Sequence, residues 1–132
     1  MKITADTNVL LRAVVGDDEA QQRAALEALD GAETVAVSVQ SLCEFAWVLA
    51  RGYRTSRDDI AAAIRQLLNM SNIAVDRPAA EAGLAVLEAG GDFADGVIAH
   101  DGRWLGGETF VSFDVQAVRL LDGAGQAARL LS

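Results

Sequence analysis

Ile3 and Ala5 alternate with Lys2, Thr4 and Asp6 at the period of a half-buried strand, which predicts a strand over residues 2–6. The run Thr7-Asn8-Val9-Leu10-Leu11 that follows has the pattern of a helix start. Residues 17–29 carry apolar positions at helical spacing, with Ala20, Ala24 or Ala25, and Leu29 turned inward. Asp17, Asp18 and Glu19 stand at the end of that helix where its dipole favours negative charge. Residues 34–37 alternate like a short buried strand, and Ser38 or Ser41 can cap a helix that runs to Arg51 and stops at Gly52. Ser56 opens another helix, with Ile60, Ile64, Leu67 and Leu68 on one face, so the two helices form a hairpin.

The second half repeats the alternation of strands and helices. A strand is predicted at 73–76, and Pro78 sits in the first turn of a helix that passes through Leu84 and Leu87 to Gly90-Gly91. A helix over 92–104 ends before Gly106-Gly107, residues 109–113 form an apolar strand, and 115–121 a short helix. Residues 128–131 add an edge strand. Strands alternating with helices imply right-handed crossovers. The predicted fold is α/β, three layers α/β/α around a mostly parallel sheet of four to five strands. No glycine-rich phosphate loop is present, because the Gly pairs lack the required spacing and a following Lys.

Size and composition fit this picture. The 132 residues are the usual length of one domain, expected to have a radius of gyration of about 14 Å. No apolar run approaches the roughly 18 residues of a membrane span, and Met1-Lys2-Ile3 leads into a strand without a signal-peptide pattern. A cytoplasmic protein without membrane contact is expected. The single cysteine, Cys43, cannot form an internal disulfide and is expected as a small buried hydrophobe. A net charge of −8 argues against broad nucleic-acid binding, but not against an enzyme whose carboxylates gather around cations.

Four acids are the candidate chemistry. Asp6 and Asp114 end predicted strands, where ligand sites of parallel sheets lie; Glu44 sits among Leu42, Cys43, Phe45 and Ala46; Asp95 lies three residues after Asp92 near a helix start. Each also has a structural role open to it: Asp114 and Asp92 as N-caps, Asp95 as the third residue of a capped turn, and Ser41-Leu42-Cys43-Glu44 as a capping box. Two carboxylates about 4 Å apart repel by roughly 4 kcal/mol at an effective dielectric near 20. Gathered acids therefore call for a hard cation, Mg²⁺ or Mn²⁺. One His and one Cys cannot furnish the usual ligand set of zinc.

The segments Asp6-Thr7-Asn8-Val9-Leu10-Leu11-Arg12, Leu42-Cys43-Glu44-Phe45-Ala46-Trp47-Val48-Leu49, Asp92-Phe93-Ala94-Asp95-Gly96-Val97-Ile98-Ala99 and Ser112-Phe113-Asp114 resemble, in this order, the motifs of PIN-domain ribonucleases. They look most like the VapC toxins of bacterial toxin–antitoxin pairs, over essentially the whole chain. The resemblance implies a metal-dependent endoribonuclease with Asp6, Glu44, Asp95 and Asp114 as its acidic quartet. Asp6 and Asp95 are then direct ligands to Mg²⁺ or Mn²⁺, Asp114 ligates directly or through water, Glu44 orients or deprotonates the attacking water, and Asp92 is a candidate outer ligand.

Thr7, Asn8 and Ser112 stand beside these acids and can position them by hydrogen bonds, although helix capping accounts for Thr7 and Ser112 as well. The resemblance further implies an RNA substrate, a VapB-like antitoxin and a homodimer, with DNA reached only through the antitoxin. Arg51, Arg54 and Arg57 form the one concentrated basic stretch, suited to RNA phosphates or to a solvated hairpin turn. Trp47 and Tyr53 are candidate antitoxin contacts by the same resemblance. His100 is placed with Phe93, Val97 and Trp104 on one helix face, about 140° from Asp95, and is expected to be packed rather than catalytic.

Receivers and haloacid-dehalogenase-like phosphatases share the strand-end acids but use a late lysine, whereas Lys2 is the only lysine here. A catalytically silent PIN-like interaction module is the alternative of a different class.

Overall fold

The alternating and helical periods of residues 1–76 fold into β1 (Lys2–Thr4), α1 (Thr7–Val14), α2 (Glu19–Gly31), β2 (Thr34–Ala36), α3 (Val39–Arg51), α4 (Arg57–Asn69) and β3 (Ile73–Ala74). The structure is a computed structural model describing all 132 residues, and the chain divides into two units, Met1–Asp76 and Arg77–Ser132. In the first unit β2 lies between β1 and β3, and both pairings are parallel, with Ile3 opposite Val35 and Val35 opposite Ile73. Parallel neighbours need long crossovers, and the helix pairs α1–α2 and α3–α4 supply them. The core is Leu10, Leu29, Val35, Leu42, Phe45 and Ile64, all fully enclosed.

Local chemistry fixes the helix ends. Asp6, Asp18, Ser38 and Ser56 each accept a backbone N–H from the first turn of α1, α2, α3 and α4 respectively. At the other end of α2, the Asn72 amide donates to the Leu29 and Ala32 carbonyls at 2.8 and 3.0 Å, satisfying groups a helix C-terminus leaves open.

The second unit contains α5 (Arg77–Glu88), α6 (Phe93–Trp104), β4 (Phe110–Ser112), α7 (Val115–Gly123) and β5 (Ala128–Leu130). β4 and β5 pair in parallel, with Val111 opposite Arg129. α5 and α6 approach unusually closely. A Cβ on Gly83 would lie 2.6 Å from the Phe93 ring, and one on Gly96 would lie 2.2 Å from the Ala82 carbonyl oxygen. Gly96 therefore sets how tightly α6 packs, and Asp95 is its immediate neighbour.

The sequence predicts a single sheet of four to five strands. Five strands form, all three pairings are parallel, and their ladders contain three strands and two. The α/β class stands. β1 and β3 are shorter than predicted, although Ala5 and Val37 still donate to the Ala36 and Ala74 carbonyls beyond the ladders. α2 starts at Glu19 rather than Asp17, because Asp18 takes the cap, and of its predicted inward residues Ala25 and Leu29 are buried while Ala20 and Ala24 are exposed. Cys43 is half-buried rather than buried. No helix is long and apolar enough to cross a membrane.

Candidate functional site

Asp6 follows the carboxyl end of β1 by two residues and is exposed. Its Oδ1 accepts the Val9 N–H at 3.0 Å, so one oxygen caps α1 and the other is left for solvent or a ligand. The next residue connects this strand end to α3: the Thr7 hydroxyl donates to Glu44 Oε2 at 3.2 Å. Asn8 is exposed at the start of α1.

Glu44 corrects two expectations. Its apolar sequence neighbours suggest a hemmed-in carboxylate, yet Leu42, Phe45, Ala46 and Leu49 point into the core while Glu44 faces solvent. Adjacent helical residues project in different directions, so neighbours in sequence do not desolvate one another. The capping box is also absent, because the cap of α3 is Ser38, whose Oγ accepts the Ser41 N–H at 3.1 Å. Glu44 is thus free of any capping duty.

In the second unit Asp92 occupies the N-cap position of α6 without making a side-chain cap bond. Asp114 caps α7, its Oδ1 accepting from Gln116 and Ala117 at 2.9 and 3.1 Å, and Ser112 Oγ accepts the Asp114 N–H at 2.9 Å. Asp95, in the first turn of α6, is the one half-buried acid of the four. Burial first, then the negative charges of Asp92 and Asp114, raise its pKa above the ordinary 3.8. Asp95 therefore lies in the field of both other acids.

The raised pKa has a consequence for the metal-free protein. Between pH 3.8 and the higher folded-state value, folded Asp95 holds more proton than unfolded Asp95, so stability falls as pH rises. This contribution is fully present below 3.8 and lost as pH rises through the folded pKa. The wild-type minus Asp95→Asn difference in unfolding free energy, measured in EDTA across this range, is expected to decline with pH; a flat or rising difference would refute the assigned environment.

All the donors in these two sets are oxygens, and the second set carries mutual repulsion that a hard cation relieves; on both counts the chemistry suits Mg²⁺ or Mn²⁺. Within neither unit are three Asp, Glu, His or Cys side chains gathered closely enough to enclose a cation alone.

His100 is half-buried, its Nδ1 3.3 Å from Asp101 Oδ1. The expected face is only partly realised: Phe93 and Val97 are buried, but Trp104, at the end of α6, is 87% exposed. Arg51, Arg54 and Arg57 are all exposed, and Arg54 adopts the left-handed conformation, φ 53°, which is costly for a residue with a Cβ. A polar cluster not anticipated from sequence lies beside them. Asp17 accepts from Arg12 Nη1 at 2.8 Å and from the Tyr53 hydroxyl at 3.3 Å, joining the α1–α2 connection to the hairpin turn. Its sole signal was the doubled acid at Asp17-Asp18, of which one suffices as a cap.

The PIN-domain family model matches residues 3–120. The chain belongs to the PIN-domain family. The match crosses both units, takes in Asp6, Glu44, Asp92, Asp95 and Asp114, and leaves out β5. No curated protein matches the chain. PIN domains are nuclease-type folds and generally act as hydrolases, and PIN nucleases generally use divalent metals.

Proposed function

We propose that this PIN domain is a Mg²⁺- or Mn²⁺-dependent endoribonuclease, the toxin of a VapBC-type pair, in which residues 1–132 work as a single cytoplasmic domain. The observation that carries this reading is the placement of Asp95, whose charge is disfavoured first by burial and then by Asp92 and Asp114, inside a PIN-family match. A structural acid gains nothing from that environment, whereas a ligand to a cation does. Asp6, Asp95 and Asp114 are the proposed ligands, with Asp92 as a further outer one. A bound metal supplies positive charge for the phosphoryl oxygens and acidifies the attacking water.

The chain's own groups do the remaining work. Glu44 accepts a proton from the attacking water, and its one protein hydrogen bond, from Thr7, orients the carboxylate while leaving Oε1 for that task. Ser112 holds the backbone leading into Asp114, which fixes where that carboxylate points. Asn8 is a candidate hydrogen-bond partner for water at the same strand end. Thr7→Val is expected to lower kcat about tenfold with KM little changed, since it frees Glu44 without touching RNA; an unchanged kcat would remove Thr7 from the machinery.

A cognate antitoxin and a second copy of this chain complete the proposed assembly, and contact with DNA runs only through the antitoxin. Exposed Tyr53, Trp104, Leu105 and Phe113 are consistent with protein partners. The test is incubation of purified protein with structured RNAs in Mn²⁺ or Mg²⁺ and in EDTA. Metal-dependent scission leaving 5′-phosphate ends is the expected result. No scission of any RNA, with metal bound, would replace the reading by a catalytically silent interaction module.

A further inference from the structure

We infer that the solvent face of α3 is a track for single-stranded RNA, with Trp47 stacking on a base and Arg51 and Arg54 holding phosphates beside it. This rests on the nuclease reading for the identity of the polyanion. Glu44, Trp47 and Arg51 are three and four residues apart, so they form one stripe along the helix. At a rise of 1.5 Å per residue the stripe runs about 10 Å from Glu44 to Arg51. Trp47 is 64% exposed in its middle, between a carboxylate and a guanidinium.

Those surroundings favour RNA over a protein partner. Aromatic anchors of protein interfaces sit in water-excluded patches where Arg is common but Glu and Asp are depleted, whereas Trp47 is flanked along its stripe by Glu44 as well as by Arg51. Sites for single strands combine an exposed aromatic ring with nearby cations, because every base offers a face to stack on. Lys2 and Arg12 are paired with Glu33 and Asp17, but Arg51 and Arg54 meet no protein carboxylate. In a chain of net charge −8, an unpaired guanidinium one helical turn from an exposed indole, with a second in the turn that follows, offers a local attraction for phosphate that the molecule as a whole lacks.

The hairpin turn sets the backbone that carries the second arginine. Arg54 is fixed in a left-handed conformation directly after Tyr53, whose hydroxyl donates to Asp17 at 3.3 Å. The track thus starts at Arg51 and the turn that carries Arg54, passes over the indole and ends at Glu44, which the proposed function places at the scissile phosphate. The resemblance to VapC toxins assigns Trp47 to an antitoxin; the charges around it assign it to the substrate.

The experiment reads Trp47 fluorescence in a Trp104→Phe protein, which leaves one tryptophan, during titration with a short mixed-sequence single-stranded oligoribonucleotide in EDTA. Stacking is expected to quench the emission; read by anisotropy of the same oligoribonucleotide carrying a fluorescent end label, Trp47→Ala is expected to weaken binding about tenfold and Trp47→Phe to restore most of it. Arg51→Ala is expected to weaken binding and reduce the slope of log affinity against log salt by about one. Unchanged melting temperatures establish that these exposed substitutions leave the fold intact. No binding or no quenching would overturn the inference, as would RNA affinity unmoved in Trp47→Ala while self-association is lost, which would make the face a protein contact. Because binding is read without metal, the nuclease reading fails separately, as binding without cleavage when metal is restored.

Discussion

Asp95→Asn is expected to melt at a higher temperature than the wild type in EDTA near neutral pH, and to cut RNA about a thousandfold more slowly with metal present. Both effects come from one carboxylate. In the metal-free protein Asp95 is partly desolvated and lies in the field of Asp92 and Asp114, so its charge is disfavoured. An amide of nearly the same size removes that charge and keeps the packing of α6. The same change removes a proposed metal ligand, and a metal's stabilisation of developing phosphoryl charge is worth several kcal/mol; a thousandfold is about 4 kcal/mol. Thermal melts and single-turnover cleavage measured on one preparation check the pair. A variant that melts lower and cleaves normally would make Asp95 an ordinary structural acid.

Gly96→Ala is expected to be the most destabilising single-methyl change in the second unit. The new Cβ would lie 2.2 Å from the Ala82 carbonyl oxygen and 2.8 Å from Gly83 Cα, and both are backbone atoms, so no side chain can rotate aside. Separating α5 from α6 is the only relief. Overpacking of this kind costs about 2–3 kcal/mol, which for a chain of this length lowers the melting midpoint by roughly 10 °C. Gly102, on the same helix, has nothing within 4 Å of its added Cβ, so Gly102→Ala is expected to gain about 0.5–1 kcal/mol from helix propensity. Denaturant melts of the two variants check the contrast; equal stabilities would mean that the close approach of α5 and α6 does not set the packing.

Element order was legible because each element's period is plain in its own residues: Ile60, Ile64, Leu67 and Leu68 share a buried face on α4, as their spacing requires. The ends were less legible. Ser38 and Ser41 are both good caps, and choosing between them depends on where β2 releases the chain. Trp104 continues the spacing of Phe93 and Val97, but nothing packs over the last turn of α6, so the apolar face ends before it does.

The acids divide in the same way. Asp6 and Asp114 could be found from strand ends, and the motif order connected them to Glu44 and Asp95. The energetic reason first given for Glu44, burial among apolar neighbours, fails because those neighbours face the core and Glu44 does not. Asp95 is the reverse case: of the causes that disfavour its charge, only Asp92, three residues before it, is visible locally, whereas its burial and the charge of Asp114, far along the chain, are not encoded by a local pattern. The Asp17–Tyr53 bond, 36 residues apart, is illegible for the same reason.

The proposed function makes Asp6 and Asp95 each necessary for metal binding. Titrating Mn²⁺ while following the melting temperature of the wild type, Asp6→Asn and Asp95→Asn tests it directly, since a ligand that binds only the folded state raises its stability with concentration. A rise for the wild type that is lost in both variants is the predicted result. A full response in Asp6→Asn, or none in the wild type, would contradict it.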